Sequence, residues 1–220
     1  MRRPLLLSAL LLSASGYALQ AQQEHDHGPA QPIAGGGVFP AGWSVQLDEG
    51  GKPADVALQA MAPGWHVTTA ASGIMYRGQD VASGSYQVSA KLHLFPEGPG
   101  HREAFGIFLG GKDLSGPAQR YTYFLIRGDG TFKIKRRSGA SASDLSGDWK
   151  LHPAIFKSDG KGPVANLLGI VVTKDRVSFQ VNGQEVYSAA ADAVDVEGIA
   201  GLRVNHNLSI HVENLEIRKS

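Results

Sequence analysis

The segment YTYFLIRGDGTFKIKRR (residues 121–137) alternates apolar and polar side chains on both sides of a Gly-Asp-Gly turn. With residues 128–130 as the turn, Phe124 faces Ile134 on one side of the hairpin and Tyr123 faces Lys135 on the other. A shift of one residue would scatter the apolar side chains over both faces. Burial of one face therefore selects the three-residue turn, and the segment predicts an antiparallel β-hairpin.

Two further turns predict an antiparallel meander between residues 167 and 188. A connection at Lys174-Asp175 pairs Val172 with Val177. Asn182-Gly183 favours a type I′ turn, because both residue types tolerate positive φ, and this turn sets Phe179 opposite Val186. The apolar side chains of this meander then share one face, which supplies half of a core.

The rest of the chain from residue 38 onward shows the same period of two, with Gly, Pro, Asn and Asp at short intervals. No long window has an apolar stripe at helical spacing, and residues 188–194 would form one helical turn at most. The last strand breaks its alternation at Asn214, which indicates a β-bulge. We predict an all-β fold, in which two antiparallel sheets pack face to face as a sandwich of jelly-roll type.

The N-terminal residues predict export. Residues 1–21 combine a basic start, an apolar run and small residues, which is typical of a secretory signal peptide with cleavage after Ala18 or Ala21. Residues 22–37 are rich in Gln, Pro and Gly and are expected to form a flexible leader. Residues 38–220 then form a single domain. The absence of cysteine favours a secreted or periplasmic bacterial protein that does not insert into the membrane after signal removal.

The charge balance excludes one class of partner. The chain carries 21 basic and 20 acidic residues, a formal net charge of +1. Without a strong overall field there is no reason to expect a nucleic acid or an anionic membrane as the ligand. A neutral ligand is favoured, and no sequence motif calls for a cofactor.

A resemblance to a known superfamily extends from residue 64 to residue 217. It is carried by FGIFLGG (residues 105–111), the hairpin described above, VSFQVNGQEV (residues 177–186) and the closing strand pair. Together these segments resemble the concanavalin A-like lectin/glucanase jelly rolls, including secreted bacterial domains of unknown function and 3-keto-disaccharide hydrolase-like proteins. The resemblance implies a sheet face that holds carbohydrate. The E-x-D-x-E pattern of the glycosidase members is absent here.

Candidate catalytic carboxylates are few. Retaining glycoside hydrolysis needs two carboxyl groups about 5 Å apart, a separation that positions i and i+2 of a strand provide. Asp195 and Glu197 have this spacing, but they lie in a segment that we expect to be a loop. Glu103 follows His101 and Arg102 and has no second carboxylate at a useful distance. These three residues are the only catalytic candidates that the sequence offers.

The polar side of the first hairpin is the candidate ligand-binding face. Sugar binding uses aromatic rings that stack on the C–H faces of the sugar and planar polar groups that bridge its hydroxyls. The hairpin supplies both kinds of group: Tyr121, Tyr123, Arg127, Lys133, Lys135 and Arg137. The alternative is an ordinary solvated sheet face with cross-strand pairs. Trp43, Trp65 and Trp149 are other possible platforms.

No metal site is predicted. His66 and His101 are expected on strands separate from each other and from the last two histidines. His206 and His211 lie five residues apart and would point to opposite faces of a regular strand, so the four side chains cannot surround one zinc ion. Asp113 and Asp129 each offer a single carboxylate, too few for calcium. The pair His25 and His27 lies in the expected leader.

We therefore expect an exported, non-catalytic module that binds a glycan or another hydroxyl-rich ligand. Fold analogy carries much of this expectation. The main alternative is a glycan-active enzyme such as a glycoside hydrolase that uses the carboxylates named above. A third hypothesis is an envelope module whose polar face meets a protein partner.

Overall fold

A computed structural model of the chain describes residues 33–95 and 101–220. In these ranges the chain forms fifteen β-strands and two short 3-10 turns, Pro53–Asp55 and Ala191–Ala193, without an α-helix. The strands build two antiparallel sheets that pack face to face, which confirms the predicted β-sandwich. The expected signal peptide and residues 22–32 of the expected leader lie outside the described residues. Residues 33–37 form a turn, in which the Gly37 N–H donates to Val56 O at 3.0 Å.

The first sheet has eight strands: β1 (Trp43–Leu47), β4 (Gly73–Ala82), β6 (Ala104–Lys112), β7 (Arg120–Arg127), β8 (Thr131–Ser138), β9 (Ser141–Asp144), β10 (Lys150–Leu151) and β14 (Gly198–Val204). Their spatial order is β1-β4-β14-β6-β7-β8, and both β9 and β10 pair with β8. The predicted hairpin thus lies at one side of this sheet.

The second sheet has seven strands: β2 (Val56–Ala60), β3 (Trp65–Thr69), β5 (Tyr86–Phe95), β11 (Val164–Val172), β12 (Arg176–Val181), β13 (Gln184–Ala190) and β15 (Leu208–Lys219). Their order is β13-β12-β11-β5-β15-β3-β2. The predicted meander forms three consecutive strands at one edge of this sheet.

The core lies between the two sheets. Each sheet turns one set of alternating side chains inward, and Phe124 and Phe179 from opposite sheets meet at 5.6 Å between ring centroids. Both rings are fully buried, as is Ile170 beside them. Burial of one large apolar side chain stabilises the fold by about 1.5–3 kcal/mol, so the alternating pattern of the sequence is the main source of stability.

The structure confirms the register of the first hairpin, in which Phe124 pairs with Ile134 and Tyr123 with Lys135. It also confirms the bulge in the last strand, where Asn214 has φ of 53° and the register shifts between its neighbours.

One register prediction in the meander is wrong. Val172 pairs with Val177 as expected, but Phe179 pairs with Tyr187 and not with Val186. A bulge between Phe179 and Gln180 moves the pairing by one residue. Bulges arise from local strain and packing, and the alternation of side chains does not reveal this one.

Within the described ranges, no helix has the length and apolar character needed to cross a membrane.

Candidate functional site

The outer face of the eight-stranded sheet, which points away from the core, carries a second apolar cluster. The cluster includes Phe108 on β6, Tyr121 and Tyr123 on β7, and Leu114 in the loop between these strands. Leu114 is buried because this loop folds back over the outer face. The face is therefore partly covered by the chain itself and is not the open, solvated wall of a simple sheet.

A cleft of about 370 Å³ opens on this face. Three segments form it: the end of β1 with the turn that follows, the loop between β6 and β7, and the turn between β8 and β9. Six of the eleven lining residues have polar side chains; the full set is Gln46, Leu47, Asp48, Glu49, Ser115, Gly116, Pro117, Gln119, Arg137, Gly139 and Ala140.

The cleft draws residues from both sides of the outer face. In the spatial order of the sheet, four strands separate β1 from β8. In a flat sheet, five interstrand spacings of about 4.8 Å would place these strands about 24 Å apart. Gln46 of β1 and Arg137 of β8 nevertheless line the same cleft. Curvature of the sheet and the covering loop bring the two sides together.

An ion pair between buried Arg203 and half-buried Asp48 supports one wall of the cleft. Arg203 on β14 donates to both carboxylate oxygens of Asp48, from Nη1 at 3.0 Å and from Nη2 at 2.6 Å. Burial alone would raise the pKa of Asp48, but the Arg203 guanidinium holds it below its usual value. Burial also disfavours the charge on Arg203, yet Tyr121 and Asp48 outweigh it and its pKa is raised. Both groups therefore remain charged and fixed in place.

The two tyrosines of β7 form the floor beneath this ion pair. Tyr121 and Tyr123 are only 1% and 5% exposed, and their ring centroids lie 5.4 Å apart. The Arg203 guanidinium lies 5.5 Å from the ring centroid of Tyr123. Burial raises the pKa of Tyr123 to about 12 and raises that of Tyr121 as well. The rings support the site from below, so they do not offer an open stacking surface to a ligand.

The cations of the hairpin occupy different places. Arg137 lines the cleft, and its Nε donates to Gly139 O at 2.7 Å. Lys133 and Lys135 share the Asp144 carboxylate at 2.7 and 3.5 Å.

Arg127 lies toward the other end of the face. Its guanidinium is 3.6 Å from the ring centroid of Trp149. Of the six predicted ligand residues, Arg137 lines the described cleft and the other five lie beneath or beside it.

The other tryptophans have a different role. Trp43 is 8% exposed and packs edge-on against Trp65, with ring centroids 5.0 Å apart. The Arg77 guanidinium lies over both rings at 5.5 and 5.3 Å. These contacts place the pair at one edge of the core, away from the cleft lining.

Sequence reasoning missed the contribution of Asp48, Glu49, Gln46, Gln119 and Arg203. These residues come from three distant parts of the chain, and each looks like an ordinary polar residue of a turn or strand. One local signal existed, since Arg203 interrupts an otherwise apolar strand. A cation on a buried strand requires a partner.

Glu103 lies far from the other two candidate catalytic carboxylates. Glu103 precedes β6 and lies 3.3 Å from His206 Nε2. The Asp195 backbone packs against Gly110 near the other end of β6, and the Asp195 side chain accepts from Arg136 at 2.7 and 3.0 Å. Seven residues of strand separate Glu103 from Gly110 by about 23 Å. Glu197 follows Asp195 in the loop, so Glu103 forms no two-carboxylate centre with either.

The candidate histidines do not form one cluster. His66, His211 and His93 lie side by side on adjacent strands of the second sheet, whereas His206 lies near Glu103. Residues 33–95 and 101–220 contain no group of three His, Asp or Glu side chains placed to hold a metal ion. Asp129 accepts from Thr131 N and Oγ at 3.0 and 2.6 Å and thus caps the hairpin turn. His25 and His27 fall outside the described residues.

No family model matches the chain, and no curated protein matches it in sequence. Solved structures do resemble it. The carbohydrate binding module CBM66 from Bacillus subtilis is 13% identical, with a TM-score of 0.60 over 81% of this chain and 96% of that one. A B. subtilis protein of unknown function with a galectin-like fold is 10% identical, with a TM-score of 0.57 over 80% and 89%.

A candidate glycosyl hydrolase from Parabacteroides distasonis is 12% identical, with a TM-score of 0.50 over 84% of this chain and 91% of that one. At these identities the likeness concerns the fold. The chain has the concanavalin A-like, galectin-like jelly roll that the sequence resemblance implied.

Proposed function

We propose that this chain is an exported, non-catalytic carbohydrate-binding module that holds a glycan, or a similarly hydroxyl-rich ligand, in the cleft of the eight-stranded sheet. The observation that carries the proposal is the cleft itself, whose lining combines hydrogen-bond acceptors and donors from three segments. The fold, which is shared with a carbohydrate-binding module, supports the same conclusion by analogy.

The lining matches the chemistry of a sugar. Each sugar hydroxyl can donate and accept, so a site for two neighbouring hydroxyls needs an acceptor beside a donor. Asp48 and Glu49 supply acceptors, Arg137 supplies donors, and Gln46 and Gln119 supply both. The cleft volume lies at the lower end of the range for small-molecule sites, which suits about one or two sugar rings.

The site is held ready before a ligand arrives. Both oxygens of Asp48 are fixed by Arg203, and Arg137 is oriented by its bond to Gly139 O. Groups that are already ordered lose little further side-chain entropy on binding. This arrangement favours recognition by hydrogen bonds even though the aromatic rings below the site are buried.

A purely binding role fits the carboxylates near the cleft. A glycosidase needs a protonated acid, which is usually kept in an apolar pocket, at a set distance from a second carboxylate. Asp48 is committed to Arg203, and Glu49 is exposed at the rim. Neither arrangement supplies a general acid.

Export is the part of the proposal that depends on sequence alone. Residues 1–21 have the pattern of a signal peptide, and the lack of cysteine fits a secreted or periplasmic bacterial protein. A glycan of the cell surface or of the surroundings is then the accessible ligand. Detection of the mature chain in the periplasmic or culture fraction, with a new N-terminus after Ala18 or Ala21, tests this part.

Titration of the purified chain against a panel of polysaccharides and oligosaccharides, in parallel with a reducing-sugar assay, tests the function. We expect binding without product release. Arg137→Gln should weaken binding about tenfold, since a hydrogen bond to a charged group contributes about 1.5 kcal/mol or more. Arg176→Gln is the matched control, because this exposed arginine lies on the second sheet and pairs with Glu185.

Three results would overturn the proposal. Release of reducing sugar that disappears in Glu103→Gln would identify a glycoside hydrolase. Absence of binding to every glycan, together with co-purification of an envelope protein, would identify a protein-binding module. Equal effects of Arg137→Gln and Arg176→Gln on binding would place the ligand outside the cleft.

A further inference from the structure

The outer face carries a row of cations that the overall charge of the chain conceals. Lys133, Lys135 and Arg137 alternate along β8, so all three point to the outer side. Across the turn, Arg127 is the next outward residue of β7 after Leu125. We call these four cations the cationic stripe. At about 3.3 Å per residue the stripe is about 20 Å long, and Arg137 at one end lines the cleft.

The positive charges of the two lysines in the stripe are only partly neutralised by nearby carboxylates. One carboxylate, Asp144, serves both, at 2.7 Å from Lys133 Nζ and 3.5 Å from Lys135 Nζ. The pair of Lys133 and Asp144 is largely buried and satisfied, with side-chain exposures of 9% and 27%. Lys135 holds the longer contact, and its charge is only partly compensated.

The two arginines at the ends of the stripe form no ion pair with a carboxylate of the described residues. Arg137 uses its Nε on Gly139 O. Arg127 lies against Trp149, and its Nε is buried without a hydrogen-bond partner. Burial lowers the pKa of the Arg127 guanidinium, and the charges of Asp129 and Glu103 offset this effect only in part.

Three carboxylates near the stripe are already engaged. Asp48 pairs with Arg203, Asp129 caps the hairpin turn, and Glu103 lies 3.3 Å from His206. Glu49, by contrast, is exposed at the rim of the cleft. A ligand that spans the stripe thus meets two guanidinium groups that form no ion pair with a described carboxylate, and it also meets the exposed carboxylate of Glu49.

We propose that the ligand of this face is an acidic polysaccharide, whose carboxylate groups contact Arg127 and Arg137 while its hydroxyls occupy the cleft. The inference rests on the proposed function and specifies its ligand class. Guanidinium groups match carboxylates through two parallel hydrogen bonds, whereas they match a neutral hydroxyl through one. A carboxylate of the ligand would give Arg127 the direct ion pair that no described residue provides. The net charge of +1 predicts a neutral ligand only because the other charges of the chain lie elsewhere.

Two forms of one polymer test the proposal. The purified full chain is titrated calorimetrically with polygalacturonate and with its fully methyl-esterified form, which has the same backbone without the charge. We expect the acidic form to bind about tenfold tighter or more at low salt. The difference should shrink at 0.5 M salt, because screening weakens contacts between exposed charges.

Variants of Arg127 and Glu49 test whether the preference for the acidic polymer arises on this face. Arg127→Gln should reduce the ratio of acidic to neutral affinity about tenfold, and Arg127→Lys should reduce it less, because it keeps the charge and loses the paired geometry. Glu49→Gln should raise the ratio, since it removes a repulsive carboxylate from the rim. Circular dichroism and thermal melting confirm that each variant is folded. If Arg127→Gln does not fold, the salt dependence of the unaltered chain and Glu49→Gln still decide the question.

Equal affinity for the acidic and esterified polymers overturns the inference, as does a preference for a neutral glycan of the panel over both. In those cases the proposed carbohydrate-binding function still stands. If no glycan binds at all, both proposals fail together. A ratio that is unchanged in Arg127→Gln and in Glu49→Gln would place the charge recognition outside this face and would also overturn the inference.

Discussion

Arg203 is the residue on which the site depends most. It is a cation on a strand of the first sheet, 7% exposed, and it keeps its charge because Asp48 binds it through two hydrogen bonds. Arginine is suited to this position because its planar fork matches a carboxylate. The pair ties the turn after β1 to the middle of the sheet and thereby holds one wall of the cleft in position.

Removal of the Asp48 charge should destabilise the folded protein. Asp48→Asn leaves a buried guanidinium without its counter-charge, so we expect a loss of about 3 kcal/mol in the free energy of unfolding. Urea denaturation measures it. Glu216→Gln is the matched control, because Glu216 pairs with Arg218 on the exposed end of β15, and it should change stability by less than about 1 kcal/mol. Similar losses in the two variants would contradict the assigned role.

Three histidine rings lie in a row across β3, β15 and β5. His211 is 8% exposed and sits between His66 and His93, at 6.4 and 5.7 Å between ring centroids. Glu213 Oε1 is 2.8 Å from His93 Nε2. Burial, together with neighbouring His211, lowers the pKa of His66.

The lowered pKa predicts how stability depends on pH. An unfolded histidine titrates near pH 6.5, and the folded state binds the proton of His66 only at lower pH. The contribution of neutral His66 to the free energy of unfolding is therefore fully present above about pH 6.5, and it is lost as the pH falls below this value. We expect the free energy of unfolding to decline between pH 7 and pH 5 less steeply in His66→Gln than in the unaltered chain. Parallel slopes in urea titrations at these pH values would contradict this.

At the scale of elements, close approach between strands limits which residues the first sheet accepts. A Cβ placed on Gly106 of β6 would lie 1.9 Å from Phe124 O on the neighbouring β7. The glycine is required for space and not for an unusual backbone conformation. Gly78 of β4 has open space around its Cβ position, although it belongs to the same sheet.

Substitution of the two glycines by alanine should change the stability of the fold to different extents. Gly106→Ala must push β6 and β7 apart, so we expect a loss of about 2 kcal/mol or more. Gly78→Ala should leave stability within about 0.5 kcal/mol. Thermal unfolding of both variants gives the comparison. If the Gly106→Ala and Gly78→Ala variants unfold at the same temperature, β6 and β7 have room for a Cβ that the structure does not show.

At the scale of the whole molecule, stability is concentrated in the centre of the sandwich. β5 lies in the middle of the second sheet with five core-facing side chains fully buried or nearly so: Tyr86, Val88, Ala90, Leu92 and Leu94. By contrast, every residue of β9 and β10 is exposed. The segment that carries Asp144 and Trp149 is thus attached to the sheet by its most exposed strands.

Hydrogen exchange should separate these regions. Amides of β5 should exchange only through global unfolding, because strands pair with them on both sides and the core covers one face. Amides of β9 and β10 should exchange much faster, through local opening. A saturating glycan should slow exchange in the segment from 141 to 151 if it contacts the outer face. Uniform protection across the first sheet would contradict this ordering.

Much of the architecture could be predicted from the chain alone. Alternation of side chains around residues 128–130 fixed the first hairpin, because only one register buries its apolar side chains together. The same reasoning gave the two-layer sandwich and the bulge at Asn214. It missed β9, whose sequence SASD has only the small apolar side chain of Ala142 and therefore shows no apolar face. It also missed the bulge beside Phe179, which moves the next strand by one residue.

The chain by itself thus determined which side of each strand is buried, since water excludes apolar side chains whatever their distant neighbours are. It also pointed to the outer face of the hairpin as the place for a ligand, a prediction that awaits its test. Only the tertiary structure decided what that face is. The fold brings Asp48, in the turn after β1, toward Arg137 of β8, and the loop between β6 and β7 lies over the face that carries Tyr121 and Tyr123. Contacts between segments that are far apart in sequence leave no local pattern, because each partner is chosen by the fold and not by its neighbours in the chain.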